Sequence, residues 1–158
     1  MSTNPAQQAA AVLYRYADRG VFLEFEERAG RDGVWTAEFR WMLPRRLRVV
    51  ADPRQGRLAC PDLLLDIEAR SPLRAAIDAF LEERHAEGLP EHRRIDPSRA
   101  KVTPSLRARR LTLALRVADD RDWAYATGKL VNVVHELVLF LNMYWTDYAH
   151  RSLGAPQE

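Results

Sequence analysis

The chain has 158 residues, of which 47% are hydrophobic and 29% charged, with 24 basic side chains against 22 acidic ones and a single cysteine. That length and composition fit one compact domain with a sizeable core and argue against a second. The near balance of charge creates no strong overall field toward nucleic acid or acidic lipid, and a lone Cys60 excludes an internal disulfide.

Apart from Lys101 and Lys129 every basic residue is an arginine, which together with the many alanines points to a GC-rich bacterial coding bias. Residues 1–11 have neither the basic nor the apolar region of a secretory signal, so the expected location is the cytoplasm.

Asn4 as a cap and Pro5 at the first helical position predict a helix with Ala9, Val12, Leu13 and Tyr16 on one face, closed by Asp18-Arg19-Gly20. The period then changes to two. Phe22 to Arg28 and Val34 to Leu43 read as strands joined by the turn Gly30-Arg31-Asp32-Gly33, with Trp35, Ala37, Phe39, Trp41 and Leu43 on one side. Arg46 to Ala51 and Arg57 to Cys60 flank a second tight connection, Asp52-Pro53-Arg54-Gln55-Gly56. Pro61 interrupts the fourth strand, leaving Leu63 to Ile67 either as its continuation or as an apolar connector.

Ser71 and Pro72 cap a second helix, amphipathic through Leu73, Ala76, Ile77, Phe80 and Leu81, that ends near Gly88. From Leu89 to Ser105, Pro90, Pro97 and Pro104 predict a surface loop with room for one short strand. Leu106 to Val117 alternates as one strand, with Leu111, Leu113, Leu115 and Val117 inward and Arg110, Thr112 and Arg116 outward. Asp119, Asp120 and Asp122 then lead into the stretch that dominates the chain. Asp122 to His150 reads as one long helix, apolar around most of its circumference from Trp123 to Tyr148. Its unbroken apolar run, Leu137 to Leu141, is far below the roughly 18 residues of a membrane span, so burial in a core is the expectation. A helix of this kind needs cover on two sides, from a sheet and from a helix of this chain or of a second copy.

These elements predict an α+β fold: an antiparallel sheet of four to five strands packed against helices, with one long C-terminal helix and an ordered core of about residues 5–150. In the order of its elements from Pro5 to His150 the chain resembles the type III secretion chaperone-like group, which includes the small bacterial YbjN-type proteins. The resemblance implies a small dimeric protein that binds other proteins and has no catalytic residues. It departs between Gly88 and Leu106, where that group has a further strand and this chain shows a proline-broken loop.

Catalytic motifs are absent. His135-Glu136 begins like a zinc-protease helix, but Leu139 stands where the second histidine belongs. Asn132, His135 and Glu136 share the narrow polar strip of the long helix and form a candidate pocket, in which a carboxylate beside an imidazole would act as general base; a structural polar seam is the favoured reading. Asp119, Asp120 and Asp122 are read as helix caps and not as metal ligands. His85 and His92, with Glu82, Glu83 and Glu87 nearby, are read as a solvated charged face, and Cys60 as a small buried hydrophobe. No glycine loop for phosphates, dinucleotides or a nucleophile elbow is present, and no metal or cofactor is expected.

Arg93, Arg94, Arg107, Arg109 and Arg110 make a candidate basic patch, and Arg45, Arg46, Arg48, Arg54 and Arg57 a second group on the strand meander. If the groups share a sheet face they can contact phosphates or an acidic protein. The absence of aromatics within the first run, on which bases would stack, weighs against nucleic acid. Tyr144, Trp145 and Tyr148 are of types enriched in interface cores. The sequence therefore predicts a non-enzymatic, chaperone-like or adaptor module, homodimeric, with the long helix in or near the interface. A small-ligand protein or enzyme with a pocket near His135 is the alternative, and a weak nucleic-acid binder the second.

Overall fold

The computed structural model describes residues 4–154. Helix α1 spans Pro5–Asp18, and its start is fixed locally: the Asn4 side chain accepts from the Gln7 amide at 2.8 Å, while the Gln7 side chain accepts from the Asn4 amide at 3.2 Å. Four strands follow, β1 Leu23–Ala29, β2 Trp35–Arg40, β3 Leu47–Asp52 and β4 Arg57–Leu64. Helix α2 covers Pro72–Glu83, with the Ser71 hydroxyl accepting from the Arg74 amide at 3.1 Å. Strands β5 Ala100–Val102, β6 Ser105–Arg107 and β7 Arg110–Val117 then lead to helices α3 Trp123–Tyr144 and α4 Thr146–Ser152.

All pairings are antiparallel, in a 7-stranded sheet of order β1-β2-β3-β4-β7-β5, with β6 on the other end of β7. The α+β class stands, but the strand count exceeds four to five for two physical reasons. The proline-marked loop supplies β5, whose Ala100 and Val102 turn inward and are buried. The single strand expected from Leu106 to Val117 is a hairpin, reversed at Ala108 and Arg109 with φ of 51° and 63°. Two positive-φ residues make the turn that matches strand twist, yet neither is the glycine or asparagine that announces it. Strand β4 passes through Pro61 to Leu64, with an irregular register between Cys60 and Leu64 and Asp62 at a φ of 50°.

One face of the sheet, with Trp35, Ala37, Phe39, Val49, Leu58, Leu113 and Leu115, is buried under the helices. Helix α3 packs against α1, α2 and β7, so the chain itself covers most of it, burying Trp123, Leu130, Val134, Leu137 and Leu141. A second copy is not required for that cover. By length and composition the segment Asp120–Tyr144, of mean hydropathy 1.2, could cross a membrane, but half of its apolar window is buried in the fold, as in a core helix. The long helix also ends earlier than expected. Trp145, at φ −129° and ψ 56°, breaks it, and α4 turns so that the Tyr148 hydroxyl donates to the Leu65 carbonyl at 2.6 Å.

Cys60 lies fully buried on the inner face of β4, and burial pushes its thiol up to about 12. Burial likewise pushes the Tyr148 hydroxyl up to about 12. Ordinary values for these groups are 9.0 and 10.0, so above pH 9 the unfolded chain loses protons that the folded chain keeps. Stability is therefore expected to fall as pH rises from about 9 to 12. Cys60→Ala should flatten the early part of that fall in urea titrations; an unchanged slope contradicts the assignment.

Candidate functional site

The polar strip of α3 does not gather around one cavity. Glu136, the carboxylate of the candidate pocket, is in an ion pair with Arg84 of the segment ending α2, whose side chain is only 7% exposed. Arg84 is held in turn by its Nε–H to the Phe80 carbonyl at 3.2 Å and by its guanidinium over the Phe80 ring at 4.1 Å. His135 is exposed and lies beside Trp41, with ring centroids 6.1 Å apart, while Asn132 donates to the His92 carbonyl at 3.4 Å. Two clefts of the described residues lie away from the strip, one over Glu26, Arg28, Thr36, Glu38 and Arg48, another between α1 and α3 at Val12, Arg15, Ala124 and Gly128.

Of the acidic cluster before α3, only Asp119 caps, and it caps the short turn Asp120–Asp122; Asp122, at the start of α3, makes no side-chain cap bond. Asp119 accepts from the Arg121 amide at 2.9 Å, which with the Arg121 side chain holds its carboxyl below the usual range. Asp122 pairs with Arg99 at 2.9 Å. Among the described residues no three His, Cys, Asp or Glu side chains come together as a metal site.

His85 differs from its reading as a solvated residue. Its Nε2 accepts from the Val102 amide at 3.1 Å and its Nδ1 lies 3.0 Å from the Ile95 carbonyl. An amide only donates and a carbonyl only accepts, so the ring is neutral with the proton on Nδ1. The histidine ties α2 to β5, and nothing local in the sequence announces the bond.

The candidate basic patch is divided. Arg93 and Arg94 ride on the loop after α2, which Lys129 of α3 anchors by donating to the Glu91 carbonyl at 2.7 Å. The Arg94 Nε is buried without a hydrogen-bond partner among the described residues. Arg107, Arg109 and Arg110 lie instead on the β6–β7 hairpin, where Arg109 is 3.8 Å from Glu68 and Arg110 3.7 Å from Asp62. The register brings together a different set. Arg57 of β4, Arg116 of β7 and Lys101 of β5 stand directly opposite one another, and Arg48 follows on β3.

The candidate interface also rearranges. Tyr148 is buried inside the fold and Trp145 is half-buried at the helix break, whereas Tyr144 is 68% exposed. Beside it Leu139 is 51% and Met143 67% exposed. Phe140 joins this surface to α2, its ring 5.5 Å from Tyr144 and 4.7 Å from Phe80. The result is a continuous apolar strip on the last turns of α3, ending at Phe80. No protein-family model, curated protein or solved structure matches the chain.

Proposed function

We propose that the chain is a non-enzymatic protein-interaction module that works as a homodimer, joined through the C-terminal half of α3. The observation that carries this reading is the exposed strip Leu139, Met143 and Tyr144, backed by Phe140 and Phe80. Single exposed apolar residues are ordinary on a soluble surface, but a contiguous strip on successive turns of one helix marks an interaction surface. Its occupant is a second copy. The strip carries no charge, so it complements itself, and a twofold axis across α3 sets the same residues of both copies against each other.

The reading goes with a chaperone-like or adaptor role in a bacterial cytoplasm, in line with the arginine-rich composition and the order of the elements. Strand β5 also fills the segment in which a strand seemed to be missing relative to the type III secretion chaperone-like group. Substituting Leu139→Glu together with Met143→Glu should lower the mass in light scattering from two chains to one, because each interface would bury carboxylates against apolar surface. Far-UV circular dichroism should stay the same, since both positions are exposed in the isolated chain. A variant that keeps the wild-type dimer mass would overturn the proposal.

A further inference from the structure

The sheet has a second face, turned to solvent. Arg48, Lys101, Arg110 and Arg116 are exposed on it, and Arg57 is half-buried. Its middle is built as rungs across the strands. Asp52, Arg57, Arg116 and Lys101 face one another on β3, β4, β7 and β5. The adjacent rung on the same face is Val50, Ala59 and Ala114, and beyond it come Arg48 and Thr112. Ala59 and Ala114 have 0% exposure although they point outward, so the alanine rung is itself covered.

Neighbouring strands are about 4.8 Å apart, so Arg57, Arg116 and Lys101 hold three positive charges within about 10 Å. Like charges directly opposite on adjacent strands destabilise a sheet. Several arginines elsewhere are paired: Arg46 with Glu26 and Glu38, Arg54 with Asp32, Arg110 with Asp62. Among the described residues Arg57, Lys101 and Arg116 form no ion pair within 4.0 Å, even with Asp52 at the end of the rung, and neither does Arg48, which stands opposite Glu38 of β2 outside the rung. The repulsion is left for something outside the chain to relieve.

We infer that this open face binds the phosphate backbone of a nucleic-acid duplex, through Arg48, Arg57, Lys101 and Arg116 and without reading bases. Cations fixed on a rigid sheet, with the Thr112 and Thr103 hydroxyls beside them, suit a repeating row of phosphates. No aromatic side chain occupies the Arg57 and Ala59 rungs, so a single strand would find no stacking platform. A lipid surface would find no exposed apolar residue there to insert. An acidic peptide would need pockets for alternate side chains, and the alanine rung between the cations is already covered.

Fluorescence anisotropy with a labelled DNA duplex of arbitrary sequence tests the inference. Four neutralised phosphates predict that the logarithm of the binding constant falls against the logarithm of salt with a slope of about −3 to −4. Arg57→Gln with Arg116→Gln should reduce that slope to about −2 and weaken binding at about 50 mM salt at least tenfold. Arg57→Lys with Arg116→Lys should keep the slope, and Arg93→Gln, on the loop against α3, should change nothing. Relief of the like-charge rung should raise the melting temperature of the double glutamine variant by about 1–4 °C. No binding at about 50 mM salt, equal binding by the double glutamine variant, or tighter binding to polyglutamate than to the duplex would each overturn the inference.

Discussion

Glu136→Ala is expected to destabilise the fold by about 3–5 kcal/mol. The loss of the ion pair is the smaller part. Arg84 is a buried cation, with a side chain 7% exposed, and once Glu136 is gone only the Phe80 carbonyl and the Phe80 ring remain to compensate it. A guanidinium has no accessible neutral form, so it cannot escape by losing a proton. The cost falls where α2 meets α3, and the melting temperature should drop by about 10 °C or more.

Because a buried pair often contributes little over a well-packed apolar one, Arg84→Met with Glu136→Leu should recover most of the loss. Urea unfolding of the single and double variants measures both. A Glu136→Ala stability within about 1 kcal/mol of wild type, close to the roughly 0.5 kcal/mol of an ordinary surface change, would mean that the pair is solvated and would contradict its structural role.

His85→Ala is expected to cost about 2–4 kcal/mol, because removing the ring strands the Val102 amide and the Ile95 carbonyl together. Ile95 is fully buried and its amide already donates to the Arg84 carbonyl at 2.7 Å, so the neighbourhood has little freedom to recruit other partners. Hydrogen exchange at the Val102 amide gives a readout specific to this bond. Its protection should collapse in the variant while amides in the middle of β2 and β3 lose protection only by the global amount. A protected Val102 amide with an unchanged melting temperature would contradict the role given to His85.

The legible parts of the fold were those decided by near neighbours in sequence. Asn4 and Ser71 announce their helices because a cap bonds its own first turn, and Trp35, Ala37 and Phe39 announce β2 because alternate residues of a strand meet opposite environments. The β6–β7 reversal was hidden because Ala108 and Arg109 adopt positive φ without the residues that favour it, so the alternation of Leu106 to Val117 ran on undisturbed. The break at Trp145 carries no proline or glycine either.

The candidate site was less legible because it depends on distant partners. Glu136 and His135 are neighbours in sequence, but what each can do is set by Arg84, 52 positions away, and by Trp41. The division of the arginines follows from the strand order β4-β7-β5, which no local pattern encodes. Likewise Leu139 and Met143 stay exposed because α1 and α2 cover other sides of α3, and the composition of α3 alone does not say which side will be left.

Size-exclusion chromatography with light scattering on the unaltered protein, over a range of concentrations, shows whether a second copy covers the apolar strip of α3. The expected mass is twice that of the 18.2 kDa chain, giving way to one chain only on strong dilution. A single-chain mass at every concentration would contradict it, and would leave Leu139, Met143 and Tyr144 as a surface without a second copy to cover it.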